Sequence, residues 1–384
     1  MTDRIEAIWQ RTRALRPLIE AHRDEAESLH HLPDAVGKAY IANNVFRLLM
    51  PTEYGGEDVD LLTYYDLVEE VASYDGSAGW NFSIGSSTPI ILADLLPSKL
   101  RMIFATADAC IAASTTPLGR AEETDGGYRL TGRFAWASGI HQAHWVLALG
   151  AIFDGETMRK SPAGTPVVLG FLMPKESCTV LDTWHVLGMR GTGSTEFEAD
   201  HVFVPKEMAI RIFQGKSRYP HPVFRLPPTY FGYNHVSVMN GIARSAVAAL
   251  KSLATKKTSP LGSMRDDPQA QYAVAKAEAL VEANRLSVKH AFGRIWEKVL
   301  ANQPVSIEAR AGLRRAIANA AEGAIEAVNL CYRAAGGTAM YESTPFARAL
   351  RDINSAATHM AVRRVMMEDA GRVTFGLRPR TSAF

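Results

Sequence analysis

Residues 128–137, Tyr-Arg-Leu-Thr-Gly-Arg-Phe-Ala-Trp-Ala, and residues 145–153, Trp-Val-Leu-Ala-Leu-Gly-Ala-Ile-Phe, decide the fold. Both are short runs of aromatic and branched residues, the composition of half-buried strands. Two more, Val167–Met173 and Phe197–Val204, follow at similar spacing, with Gly, Pro and Asp between them. Gly126-Gly127 before Tyr128 is a hairpin signal. Residues from about 112 to 205 therefore read as a compact, mostly antiparallel sheet domain.

Outward from that centre the texture becomes helical. Ile5–Asp34 is rich in Ala, Glu, Arg and Leu at helical spacing, and Leu61–Ser73 resumes the period. Between them Met50-Pro51-Thr52-Glu53-Tyr54-Gly55-Gly56 forces a turn. Residues 214–228 carry four prolines and read as a linker. Beyond it, residues 272–300 place apolar side chains at intervals of three and four, and Arg310–Ala335 is Ala-rich. The expected division is an N-terminal helical domain over 1–111, a middle β-domain over 112–213 and a C-terminal helical bundle over 214–384.

Composition narrows the function classes. The 384 residues carry 42 Lys and Arg against 40 Asp and Glu, with 47% hydrophobic residues. That balance provides no global pull toward nucleic acid or an anionic membrane. The N-terminus lacks the apolar core of a signal peptide, and the longest apolar runs are too short to span a bilayer. Cys110, Cys178 and Cys331 are odd in number and far apart, which argues against disulfides and for a reducing, cytoplasmic compartment. There is no HExxH, and His141 and His144 are not expected to face the same way beside a sheet, so no metal site is expected.

Gly188-Met189-Arg190-Gly191-Thr192-Gly193-Ser194 is the strongest loop signal. It precedes a strand rather than a helix, so it is neither a dinucleotide fingerprint nor a phosphate loop. It reads either as a glycine hairpin or as a loop whose amides, with the Thr192 and Ser194 hydroxyls, approach a cofactor. Met208–Arg265 holds nine Lys and Arg and no Asp or Glu, either a solvated face or a surface for phosphate.

The order helix, sheet, helix resembles the acyl-CoA dehydrogenase fold. So do the turn at 50–56, the segment Gly132–Gly139, Ser114-Thr115-Thr116-Pro117, Met264-Arg265, the pair Gly336-Gly337 and the pair Arg351-Asp352. The dehydrogenases carry a glutamate base eight residues after that Asp, where Met360 stands here, or on an earlier helix near Phe231, inside the carboxylate-free stretch. An apolar side chain cannot replace a general base. The departures resemble the flavin-dependent two-component monooxygenases of the same fold, which include aromatic hydroxylases and dibenzothiophene- and indole-type oxygenases. Trp184–Ser194 and His359 carry that likeness.

The resemblance implies an oxygenase component that uses reduced flavin (FMN or FAD) and O2, through a C4a-hydroperoxyflavin, to hydroxylate a small aromatic substrate. It further implies a separate NAD(P)H:flavin reductase and a homotetramer. Ser138 is expected near flavin N5, and Trp136 and Ala137 against the ring. Ala113, Ser114 and Thr115 are expected at the ring edge, with Thr192 and Ser194 nearby. Arg265 is expected at the flavin phosphate across a subunit boundary, and Gly336 and Gly337 are expected among the cofactor-binding residues. His359 would face the substrate as proton acceptor or hydrogen-bond donor. Trp80, Phe82, Tyr230, Phe231 and Tyr233 are candidates for an aromatic substrate pocket. Two alternatives stand beside this reading: an acyl-CoA dehydrogenase-like oxidoreductase with another base, and a non-catalytic flavin-binding protein.

Overall fold

The computed structural model describes residues 3–212, 217–259 and 262–380. The expected boundary at 213/214 lies outside the described residues. The N-terminal part begins with helices Asp3–Ala14, Arg16–Ala21, Arg23–Leu29 and Asp34–Ala42 rather than one run over 5–34. Pro17 supplies one break, since proline has no N–H to donate and disfavours helical backbone in the residue before it. His30, with a left-handed φ of 56°, ends the third helix. The turn at 50–56 is as tight as its residues suggest: a Cβ on Gly56 would lie 1.9 Å from the Met50 carbonyl oxygen, so no other residue fits. Helices Leu61–Tyr74 and Gly76–Ser87 follow, capped by the Asp60 and Asp75 carboxylates.

The middle part is one eight-stranded sheet. Its main path runs Thr179–Val180, Phe197–Pro205, Gly127–Phe134, Ile111–Thr124, Trp145–Asp154, Val168–Pro174, Ala209–Ile210. Ile111–Thr124 and Gly127–Phe134 form the expected hairpin, with Thr124 opposite Gly127 and Gly126 at φ 75°. Neighbours pair antiparallel, as expected of a mostly antiparallel sheet, except that Ile111–Thr124 and Trp145–Asp154 run parallel. Their register shifts between Ser114 and Gly119, leaving Thr115–Leu118 exposed and without partners on that strand.

The C-terminal part packs Tyr230–Lys256, Pro268–Leu300 and Ile307–Ala335 together, with Pro345–Ala356 and Arg364–Thr374 against them. The small side chains of Ile307–Ala335 let the helices approach closely. Glu69, fully buried in the N-terminal part, ties the bundle down. It accepts from Asn240 Nδ2 at 2.9 Å, Arg244 at 3.2 Å and Arg285 Nε at 3.0 Å. No described helix is long and apolar enough to cross a membrane.

Candidate active site

The site is built where the three parts meet, around one indole. Trp80 lies on Gly76–Ser87, a helix buried on nearly all sides. Its Nε1–H donates to Ser138 Oγ at 3.0 Å. Ser138 follows the end of strand Gly127–Phe134 and is 2.7 Å from Ser194 Oγ, which in turn is 2.8 Å from Thr192 Oγ1. Thr192 Oγ1 donates to the Met189 carbonyl at 2.8 Å. On its other side the indole meets His235 edge-on, with ring centres 4.7 Å apart, and His359 at 5.7 Å. The two imidazoles stack at 3.8 Å with an interplanar angle of 20°.

The tautomers of these histidines follow from their backbone partners. His235 Nδ1 faces the Phe231 carbonyl, which can only accept, so Nδ1 carries the proton and Nε2 keeps a lone pair. That Nε2 is buried and has no hydrogen-bond partner among the described residues. His359 caps the short turn Met360–Val362, and its Nδ1 accepts the Ala361 N–H at 3.3 Å. In the neutral ring its Nε2 therefore carries the hydrogen. Burial pushes His235 down to about 4 and holds His359 well below the ordinary imidazole range, with the neighbouring ring adding to the latter. Both are neutral at physiological pH. No carboxylate is among the groups that shift either one.

Trp136 is 61% exposed on left-handed backbone, φ 59°. A bulky residue there is strained and needs its surroundings to hold it. The Ala135 N–H to Thr116 O, the Ala137 N–H to Thr195 O and the Gly139 N–H to Thr192 O supply that support. An exposed indole, the exposed backbone at Thr115–Leu118, out of register with strand Trp145–Asp154, and the Ser138 hydroxyl thus lie along one rim of the sheet. A flat heteroaromatic ring with polar edges suits them.

The remaining expected residues divide. Ser114 departs from expectation: its hydroxyl turns inward and donates to the Ala135 carbonyl at 2.7 Å, because the chain leaves the sheet there and that carbonyl needs a donor. Ala113 is half-buried and Thr115 exposed, whereas Ala137 is fully buried. Phe82 is corrected from pocket to core, packed edge-on against Tyr40 at 5.7 Å and fully buried. Tyr230 and Tyr233 turn into the bundle against Phe292, at 5.8 and 4.0 Å, and Phe231 is half-buried. Of these candidates, Trp80 is the one whose side chain contacts Ser138, His235 and His359.

The glycine loop is a junction rather than a bare hairpin. A Cβ on Gly188 would lie 2.3 Å from the Arg351 carbonyl, and one on Gly191 2.9 Å from Ala26. The Met189 N–H donates to Asp352 at 2.6 Å. Asp352 is fully buried and pushed up to about 7, chiefly by burial and then by Asp75. The pair Arg351-Asp352 therefore anchors the loop.

The basic stretch 208–265 departs from the phosphate reading over much of its length. Arg211 and Arg218 reach Asp94, Arg244 reaches Glu69 and Glu70, and Lys251 reaches Glu278, all acids from other segments. Arg265 is exposed, with Asp266 at 3.9 Å. Lys257 joins its neighbourhood to Gly336-Gly337: Nζ donates to the Ala335 carbonyl and Thr338, while the Lys257 carbonyl accepts from Met264 N–H. His141 stacks on His31 at 4.3 Å and His144 faces Asp108, so those two do point apart.

His235 is the residue that sequence reading missed. It stands four residues after Phe231, in a stretch whose aromatic, basic and missing acidic residues are its more conspicuous features. A histidine among apolar residues on the first turns of a helix was the available signal.

With neutral histidines, and with both dehydrogenase base positions filled by exposed Met360 and half-buried Phe231, the site beside the sheet rim fits a flavin oxidoreductase of the acyl-CoA dehydrogenase fold. The family models for the acyl-CoA dehydrogenase N-terminal and C-terminal domains match residues 5–94 and 233–364. An indole-3-acetate monooxygenase of Pseudomonas putida is 30% identical, over 95% of this chain and 94% of that protein. The oxygenase subunit HsaA of a flavin-dependent monooxygenase of Rhodococcus jostii (strain RHA1) is 30% identical over 92% and 94%. The crystal structure of 3-HSA hydroxylase from Rhodococcus sp. RHA1 superposes with a TM-score of 0.87, 29% identity and 98% coverage of both chains. The chain belongs to the flavin-dependent monooxygenases of the acyl-CoA dehydrogenase fold.

Proposed function

We propose that the chain is the oxygenase component of a two-component system that hydroxylates a small aromatic or heteroaromatic substrate. Reduced FMN or FAD comes from a separate NAD(P)H:flavin reductase, and O2 is the cosubstrate. The relatives named above, one acting on indole-3-acetate and one an oxygenase subunit, support this reading. The observation that carries it is the contact chain Ser138–Trp80–His235/His359, a hydroxyl and two neutral imidazoles joined by an indole. An acyl-CoA dehydrogenase needs a carboxylate where this chain has none.

Reduced flavin, when bound, supplies the activated oxygen; the protein binds, orients and keeps water out. Trp136 would flank the ring, Ser138 would meet its N5 edge, and the backbone of Ala113 and Thr115 would hold its rim. His359 offers its Nε2–H as a donor toward the reacting oxygen. His235 Nε2 accepts the proton of a substrate O–H or N–H, and Trp80 holds both rings in place. With reductase, NADH and 18O2, a panel of indoles and phenols is expected to yield a product carrying one labelled oxygen; label absent from every product would sink the proposal.

Arg265, Gly336 and Gly337 lie together on the exposed side of the bundle, where a neighbouring subunit's flavin phosphate would sit in a homotetramer. Light scattering is expected to give four chain masses, and Arg265→Ala is expected to weaken flavin binding about tenfold. A monomer with unchanged affinity in the variant would remove this part. A cytoplasmic location belongs to the same proposal, in keeping with three free thiols.

A further inference from the structure

The hydroxyl chain behind Ser138 takes its direction from the Met189 carbonyl. Met189 O accepts from Trp184 Nε1 at 3.2 Å, the Thr192 N–H at 3.1 Å and, closest of the three, the Thr192 hydroxyl at 2.8 Å; a carbonyl never donates, so at that distance Thr192 gives its single proton to Met189 O. Thr192 must then accept in its contact with Ser194, and Ser194 donates. Ser194 has spent its proton, so Ser138 donates to Ser194. Trp80 Nε1 can only donate, and it occupies one Ser138 lone pair. Ser138 is left with one lone pair and no hydrogen to give. Thr192 and Ser194 are 1% and 5% exposed, so water does not rescramble the order.

We propose that Thr192 and Ser194 are positioning residues that fix Ser138 as a pure hydrogen-bond acceptor, and that the cleft thereby selects reduced over oxidised flavin. The proposal deepens the assignment of Ser138 to the flavin N5 edge and rests on it. Reduced flavin carries a hydrogen on N5 and donates to the free lone pair of Ser138. Oxidised flavin presents a lone pair at N5, which faces another lone pair and leaves two acceptors unpaired, a cost comparable to a lost hydrogen bond. Discrimination therefore comes from the direction of a proton chain that begins at a backbone carbonyl several residues away. A component that must take reduced flavin from another protein and release it once oxidised gains from such a filter.

Thr192→Val tests this without touching Ser138. Valine has nearly the shape of threonine and no hydroxyl, so Ser194 loses its acceptor and turns its proton to Ser138. The Ser138 proton is then free to meet an N5 lone pair. Dissociation constants are measured for oxidised FMN and FAD by fluorescence, and for the dithionite-reduced flavins anaerobically. Wild type is expected to favour the reduced form. Thr192→Val and Ser194→Ala are expected to narrow the ratio about tenfold, mainly by tighter binding of the oxidised form. Thr192→Ser, which keeps the hydroxyl, is expected to restore it. Bound-flavin midpoint potential follows, by about 30 mV for each tenfold change in the ratio. Wild type binding both forms equally, or Thr192→Val retaining the wild-type ratio, overturns the proposal. Wild type binding neither form would overturn the flavin placement as well, which separates the two failures.

Discussion

His359→Ala is expected to lower product formation about a hundredfold while leaving flavin binding largely intact, because a positioned proton donor contributes on that scale. The side chain also caps a turn through the Ala361 N–H, and losing a cap costs about 1 kcal/mol of stability. His359→Asn separates the two effects, since asparagine still caps but lacks the imidazole. The same loss of product in both variants supports the catalytic role. Wild-type activity in the Asn variant would reduce His359 to a cap.

The pH profile carries a second readout. Neither His235, at about 4, nor His359, held well below 6.5, changes charge between about pH 6 and pH 8, so these two groups leave activity flat there. Protonating His235 in acid removes its acceptor, so activity is expected to fall as pH drops toward about 4. Stability moves in the same direction. A histidine whose pKa is lower folded than unfolded adds stability that is complete above about 6.5 and lost as pH falls through that window. Asp352 opposes this: raised to about 7 in the folded chain, it contributes stability that is complete below about 3.9 and is lost as pH rises to about 7, with no further change above.

Gly188→Ala is expected to destabilise the protein by roughly 4 kcal/mol, near the upper end for a single substitution. The added Cβ would stand 2.3 Å from the carbonyl carbon and oxygen of Arg351 and 2.7 Å from the Asp352 nitrogen. Those are backbone atoms, which cannot swing aside as a side chain does. Relief requires moving the loop off helix Pro345–Ala356, and that breaks the Met189–Asp352 hydrogen bond. Thermal unfolding measures the loss. A melting temperature within a degree or two of wild type would show that the junction is soft.

The close packing at Gly188 bears on what the glycines mean. A cofactor loop and a packing junction look alike in sequence, because both need backbone without side chains. Thr192 and Ser194 were legible as hydroxyls near the site. Their order in a proton chain was not, since it depends on Met189 O being within 2.8 Å. His235 was hidden for a related reason: nothing in its neighbours announces that His359, more than a hundred residues later, stacks on it.

Periodicity and composition alone settle the layer order of this chain, the helix–sheet–helix succession, because alternation of two and recurrence of three to four are local properties. They also settle the missing carboxylate, which is a matter of residue identity. Which way Ser114 turns, where Phe82 and Tyr230 point, and which imidazole nitrogen holds its hydrogen were decided by tertiary contacts alone. A side chain's partner is set by what the fold brings within 3 Å of it, and no pattern along the chain encodes that distance.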